Sequence, residues 1–129
     1  MIVMPPISIL IAEDDPFLKR AYELWFNKEG FVAQVVDNGQ EIIRSLESAI
    51  PDIIILDVMM PELGGFDTLK KIKEDEKTKN IPVILASSLS QPEDIKRAQS
   101  MGADLWIVKS DIQLEALTQQ IKTLIESKS

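Results

Sequence analysis

Ile53-Ile54-Ile55-Leu56, closed by Asp57 and followed by Val58-Met59-Met60-Pro61, is the stretch whose reading decides the fold. The apolar run is short, mostly β-branched, and apolar at successive positions. That pattern suits a strand buried on both faces, as in a parallel sheet covered by helices. Similar runs are Ile7–Ala12, Val32–Val36, Val83–Ala86 and Leu105–Val108. All read as strands.

Helical patterns separate them. Asp15-Pro16 offers an N-cap with proline at the first helical position. Phe17, Leu18, Ala21, Leu24 and Trp25 then recur at helical spacing until Gly30. A second helix follows Asn38-Gly39 and buries Ile42, Ile43 and Leu46. A third follows Gly64-Gly65, which need no function beyond permitting positive φ before a helix, with Phe66, Leu69 and Ile72 inward. Ser90 to Glu93 has capping-box spacing for a fourth helix through Ser100. Its apolar face, Ile95, Ala98 and Met101, is weak, which makes it a candidate moving part. The last helix runs from about Ile112, with Leu114, Leu117, Ile121 and Leu124 on one face. Five βα units in 129 residues favour an open doubly wound α/β sandwich of the flavodoxin-like kind. A barrel would need about 250 residues. The expected sheet has five parallel strands in the order 2-1-3-4-5, in one domain over 1–129 with a core of about 7–126.

Composition narrows the function. A 45% hydrophobic content supports a real core, and the net charge of −7 argues against a nucleic-acid or anionic-membrane surface. With no cysteine and no histidine, disulfides, thiolate chemistry, imidazole bases and phosphohistidine chemistry on this chain are excluded. Met1–Pro6 lacks the basic flank and length of a signal peptide, and no apolar run approaches the roughly 20 residues that cross a bilayer. A cytoplasmic location is expected.

In an open parallel sheet, function collects at the carboxyl ends of the strands. Glu13, Asp14 and Asp15 follow the first strand, Asp57 the third, Ser87 and Ser88 the fourth, and Lys109 the fifth. With strands one and three adjacent, Glu13, Asp14 and Asp57 converge. Three such carboxylates raise one another's pKa values unless a cation intervenes, and a hard oxygen-liganded ion such as Mg²⁺ answers that. Asp57 is then placed as a nucleophile toward a phosphoryl group, with Lys109 and Ser87 meeting the developing charge. Taken singly, each residue has a blander reading as a solvated turn, a helix cap, a strand-ending lysine or an edge aromatic. Their joint position at strand ends decides against it.

Ile9–Asp15 (ILIAEDD), Ile55–Pro61 (ILDVMMP) with Gly65, Pro82–Ser88 (PVILASS) and Trp106–Lys109 (WIVK) resemble response-regulator receiver domains, in order and across essentially the whole chain. The resemblance implies a phosphorylation-dependent signalling switch rather than an enzyme, catalysing only its own phosphoryl uptake and loss. By position, Asp57 is the phosphoacceptor and Asp14 a direct metal ligand. Glu13 acts through water, and the Met59 backbone carbonyl is the third protein ligand. Ser87 is the switch hydroxyl, Lys109 the phosphate-pairing lysine and Trp106 the switch aromatic, while Asp15 caps a helix. The cofactor implied is Mg²⁺, with Mn²⁺ able to substitute. The donor is a histidine kinase or histidine phosphotransfer protein, docking near the first helix. The output face is the fourth helix, fifth strand and fifth helix, binding an unidentified protein target, with a monomer or weak homodimer through that face. Ser110 departs from the usual proline, so a trans Lys109–Ser110 bond is expected. Three other readings compete with this one: a phosphorylation-independent receiver-like scaffold, which Ser110 supports best; a nucleotide or flavin protein, opposed by the acidic first loop; and a haloacid-dehalogenase-type phosphatase, opposed by Met59.

Overall fold

The computed structural model describes residues 5–128. Met1–Met4, which carry most of the expectation about the N-terminus, lie outside them, as does Ser129. Strands β1 (Ser8–Ala12), β2 (Val32–Val36), β3 (Ile53–Asp57), β4 (Val83–Ser87) and β5 (Leu105–Val108) alternate with helices α1 (Pro16–Lys28), α2 (Gly39–Leu46), α3 (Gly65–Glu74), α4 (Pro92–Ser100) and α5 (Leu114–Lys128). All pairings are parallel, in the order β2-β1-β3-β4-β5. This is the expected α/β arrangement.

The sheet separates two apolar layers. Ile9, Ile11, Ile53, Ile55, Ile84 and Ala86 face α1 and α5, packing on Tyr22, Phe26, Leu117 and Ile121. Leu10, Ala12, Ile54, Leu56, Val83 and Leu85 face the other way, onto Ile42, Leu69, Ile72 and Ala98. β3 and β4 are buried at every position, on both faces, and hydrophobic burial of their apolar runs is the main force holding the layers together. At the edges the rule relaxes. Val32 of β2 is exposed and β5 is half-buried throughout, because an edge strand is covered less completely.

Several boundaries differ from the sequence expectation. β3 and β4 each run one residue further, through Asp57 and Ser87, since the ladder continues to the Asp57–Ala86 and Ser87–Val108 pairs. β1 starts at Ser8 rather than Ile7. The fourth helix has no Ser90 capping box: Gln91 is the N-cap and offers no side-chain bond, while Pro92 supplies preset φ. α5 starts at Leu114 because Lys109–Asp111 form a 3₁₀ turn first. The Asp15 cap does form, with Oδ1 accepting from the N–H groups of Phe17 and Leu18. The inward face of α1 is rotated from the expected one, however. Tyr22 and Phe26 are buried, whereas Phe17 and Leu24 are exposed.

Gly64 and Gly65 permit positive φ, but neither adopts it. Gly65 is required for closeness instead. A Cβ there would stand 2.6 Å from the Asp57 carbonyl oxygen and 2.8 Å from Val58 Cα, both backbone atoms. Only Gly lets α3 start this near the end of β3.

Candidate functional site

Strand pleating assembles the site. Side chains alternate across a strand, so residues two apart share a face. Glu13 shares the face of Ile9 and Ile11, and its N–H extends the ladder by donating to the Val36 carbonyl at 2.9 Å. Asp57 shares the face of Ile53 and Ile55, and Lys109 that of Leu105 and Ile107. Three strand ends thus aim an acid, an acid and a base into one volume at the carboxyl edge of the sheet.

There the Lys109 ammonium donates to Glu13 Oε1 at 2.8 Å and to Asp57 Oδ2 at 3.0 Å. Asp57 Oδ1 accepts from the Met59 N–H at 3.2 Å, and Glu13 Oε2 from the Asp15 N–H at 3.1 Å. Glu13 is 1% exposed and Asp57 3%, whereas Asp14 is exposed at the rim. One carboxylate oxygen from each of Glu13, Asp14 and Asp57 lies within 4.8 Å of the others. Clustered hard oxygen donors of this kind, two buried and one open to solvent, fit a divalent cation that retains water.

The electrostatics follow from burial. Desolvation pushes the Glu13 carboxyl above its ordinary value; the Lys109 and Asp15 hydrogen bonds oppose this, and the Asp57 charge adds to it. Mutual repulsion was the expected cause, but it ranks below desolvation here. Burial works against the Lys109 ammonium, yet its bonds to Glu13 and Asp57 outweigh that and hold its pKa above the ordinary lysine value.

Ser87 is buried at the end of β4, one residue beyond the partner of Asp57. Its Oγ accepts from the Leu89 N–H at 3.1 Å, which leaves its own hydroxyl hydrogen to donate elsewhere. Ser88 is exposed. The Met59 side chain is 73% exposed. No cis peptide occurs among the described residues, so the bond before Ser110 is trans, as expected. Trp106 stands apart from the carboxylates, half-buried in the opposite layer. Its indole N–H donates to the Leu89 carbonyl at 3.2 Å, and its ring lies 6.3 Å from that of Phe66, over which the Arg97 guanidinium sits at 4.1 Å. Sequence reasoning missed this Leu89–Trp106–Phe66–Arg97 linkage, which joins β5, the β4–α4 loop, α3 and α4. No spacing rule predicts it. It also missed Tyr22, although the i, i+4 stripe of Leu18, Tyr22 and Phe26 was available to find it.

Residues 9–122 match the family model described as the response regulator receiver domain. The chain is 31% identical over 118 residues to the gliding motility regulatory protein of Myxococcus xanthus, covering 92% of this chain and 15% of that protein. It is 30% identical over 118 residues to the transcriptional regulatory protein AfsQ1 of Streptomyces coelicolor, covering 92% of this chain and 51% of that one. The chain therefore spans about half of one of these curated relatives and about a seventh of the other. Among solved structures, the signal receiver domain of a signal transduction histidine kinase from Syntrophus aciditrophicus superposes with a TM-score of 0.84 at 35% identity, over 93% of this chain and 90% of that one.

Proposed function

This chain belongs to the response regulator receiver domain family, and from that premise we propose that Asp57 accepts a phosphoryl group and that the resulting acyl phosphate switches a protein-binding face. Receiver domains are signalling domains rather than enzymes in the ordinary sense, and they bind Mg²⁺ in an acidic pocket. The observation that carries the reading is the Lys109 ammonium held between Glu13 and Asp57, beside three carboxylates within 4.8 Å of one another.

In this reading the ion, Mg²⁺ or Mn²⁺, is held by Asp14, Asp57 and the Met59 carbonyl, with Glu13 acting through water. When bound, it neutralises the carboxylates and the incoming phosphoryl oxygens. The chain's own residues do the rest. An Asp57 carboxylate oxygen attacks phosphorus, an O–P bond forms, and the P–N bond of a donor phosphohistidine breaks with its electron pair returning to the imidazole. No general base is needed, since the nucleophile is already ionised. Lys109 pairs with the new phosphoryl oxygens, and the free Ser87 hydroxyl hydrogen is donated to one of them. Hydrolysis of the acyl phosphate resets the chain.

The donor is a histidine kinase or histidine phosphotransfer protein docking near α1. Movement of Ser87 draws the β4–α4 loop with it, because Ser87 Oγ already holds the Leu89 N–H and Leu89 holds Trp106. The α4-β5-α5 face then presents a changed surface to a protein target or a second copy. α4 suits this role, since Ala98 is its one buried residue. One receiver domain over 1–129, working in the cytoplasm, completes the reading; among the described residues no helix is long and apolar enough to cross a membrane.

The test is intact-protein mass after incubation with a small acyl phosphate, with Mg²⁺ or EDTA, beside Asp57→Asn. One phosphoryl adduct that requires both Mg²⁺ and Asp57 is expected. A folded, Mg²⁺-binding protein that gains no adduct overturns the switch and favours a phosphorylation-independent scaffold.

A further inference from the structure

Among the described residues, the Tyr22 hydroxyl is the one buried side-chain polar atom without a hydrogen-bond partner. Tyr22 is 1% exposed, and its ring is stacked 6.1 Å from that of Phe26. A phenol buried without a partner is costly and calls for an explanation. Its position supplies one. Tyr22 packs in the layer formed by Ile9, Ile11, Ile53 and Ile55, the face from which Glu13 and Asp57 also project. Burial first, and then the charges of Glu13 and Asp57, push the phenol pKa upward, so the hydroxyl stays protonated and lies within electrostatic reach of both carboxylates.

Glu13 has two partners in the structure, Lys109 at 2.8 Å and the Asp15 N–H at 3.1 Å. The first is shared with Asp57. If Asp57 is phosphorylated, as proposed above, the new phosphoryl oxygens compete for that ammonium, and Glu13, 1% exposed, keeps the Asp15 N–H and the metal-bound water assigned to it above, with lone pairs still open to a donor. Such a carboxylate favours another donor.

We propose that the Tyr22 hydroxyl is a standby donor to the Glu13 carboxylate, directly or through one buried water, engaged when Lys109 turns toward phosphorylated Asp57. Tyr22 is thus a positioning residue: it touches no reacting atom, and it stabilises the phosphorylated state by keeping Glu13 satisfied. The inference rests on the phosphoacceptor reading for its physiological use, but the Tyr22–Glu13 link can be tested without it.

Tyr22 is the chain's single tyrosine, so a ¹³Cζ-tyrosine label reports on this hydroxyl alone. In Lys109→Met, which removes the ammonium with no phosphoryl group involved, the resonance is expected to move to a hydrogen-bonded position. In the full wild-type chain with a small acyl phosphate and Mg²⁺, the same movement is expected to track the adduct seen by mass. Tyr22→Phe keeps the ring and should fold with an undiminished Tm, yet bind beryllofluoride roughly tenfold more weakly, the worth of one hydrogen bond to a charged group. An unmoved resonance in both Lys109→Met and the mass-confirmed adduct overturns the inference, as does wild-type beryllofluoride affinity in a folded Tyr22→Phe. A missing adduct with a moved resonance in Lys109→Met overturns the phosphoacceptor reading while supporting the Tyr22–Glu13 link.

Discussion

Lys109 Nζ lies as close to Glu13 as to Asp57, at 2.8 and 3.0 Å, so the strand-five lysine is divided between two buried acids from two other strands. Phosphate pairing was the role expected for this lysine. In the structure it also neutralises Glu13, whose charged form burial disfavours, and this makes Glu13 a source of measurable pH dependence.

The Glu13 carboxyl has its folded pKa raised above the ordinary 4.5. A raised folded pKa means the folded state binds the proton more tightly, so that contribution is present below 4.5 and is lost as pH rises through the folded value. Glu13→Gln keeps the shape and removes the ionisation. Without divalent ions, its stability relative to wild type should improve as pH goes from the acid side of 4.5 to neutrality. Urea denaturation in EDTA at the two ends of that range checks this; an advantage that shrinks with rising pH would contradict it.

Magnesium should reverse the balance. A ligand at about 100 times its Kd stabilises the folded state by about 2.7 kcal/mol. Wild type should therefore gain Tm on titration with Mg²⁺, and Asp14→Asn should gain little. Asp14 is exposed, so its change should cost within about 0.5 kcal/mol in EDTA. Equal Mg²⁺-induced shifts in the two proteins would remove Asp14 from the metal site.

Gly65→Ala tests the close approach of α3 to the acceptor strand. Its Cβ would meet two backbone atoms of residues 57 and 58 at under 3 Å, and backbone cannot rotate away. Overpacking of this kind costs about 1–3 kcal/mol. Asp57 should shift with its carbonyl, so phosphoryl uptake from a small donor should slow even in the folded fraction. Chemical denaturation and adduct kinetics read the two effects, and a neutral outcome in both would show that the loop relaxes freely.

The indole of Trp106 anchors the β4–α4 loop through the Leu89 carbonyl at 3.2 Å. Trp106→Phe keeps an aromatic against Phe66 but loses that donor, at a cost of about 0.5–1.5 kcal/mol. Amide exchange should quicken selectively over residues 88–92, with little change in α1. Unchanged exchange across the loop would mean that packing, not the hydrogen bond, holds it.

The alternation of strands and helices, and the polar residues at the strand ends, were legible in the sequence. A strand buried on both faces needs four or five apolar residues in succession, and a carboxylate that ends such a run, as Asp57 does, has nowhere to lie but the sheet edge. Asp15 was legible as a cap for a similarly local reason, since its bonds reach only to Phe17 and Leu18. What the chain does at longer range was decided by packing. Which face of α1 is buried depends on how the helix seats on the sheet, and this seating buries Tyr22 and leaves Phe17 and Leu24 exposed, against their helical spacing. Gly65 reads locally as a residue that permits unusual backbone dihedrals, whereas the Asp57 carbonyl oxygen, eight positions earlier in the chain, is what excludes a side chain there. The division of Lys109 between Glu13 and Asp57 also belongs to tertiary structure. It depends on side chains 96 and 52 positions apart in the chain, brought within hydrogen-bonding distance only because β1, β3 and the end of β5 direct them to one face.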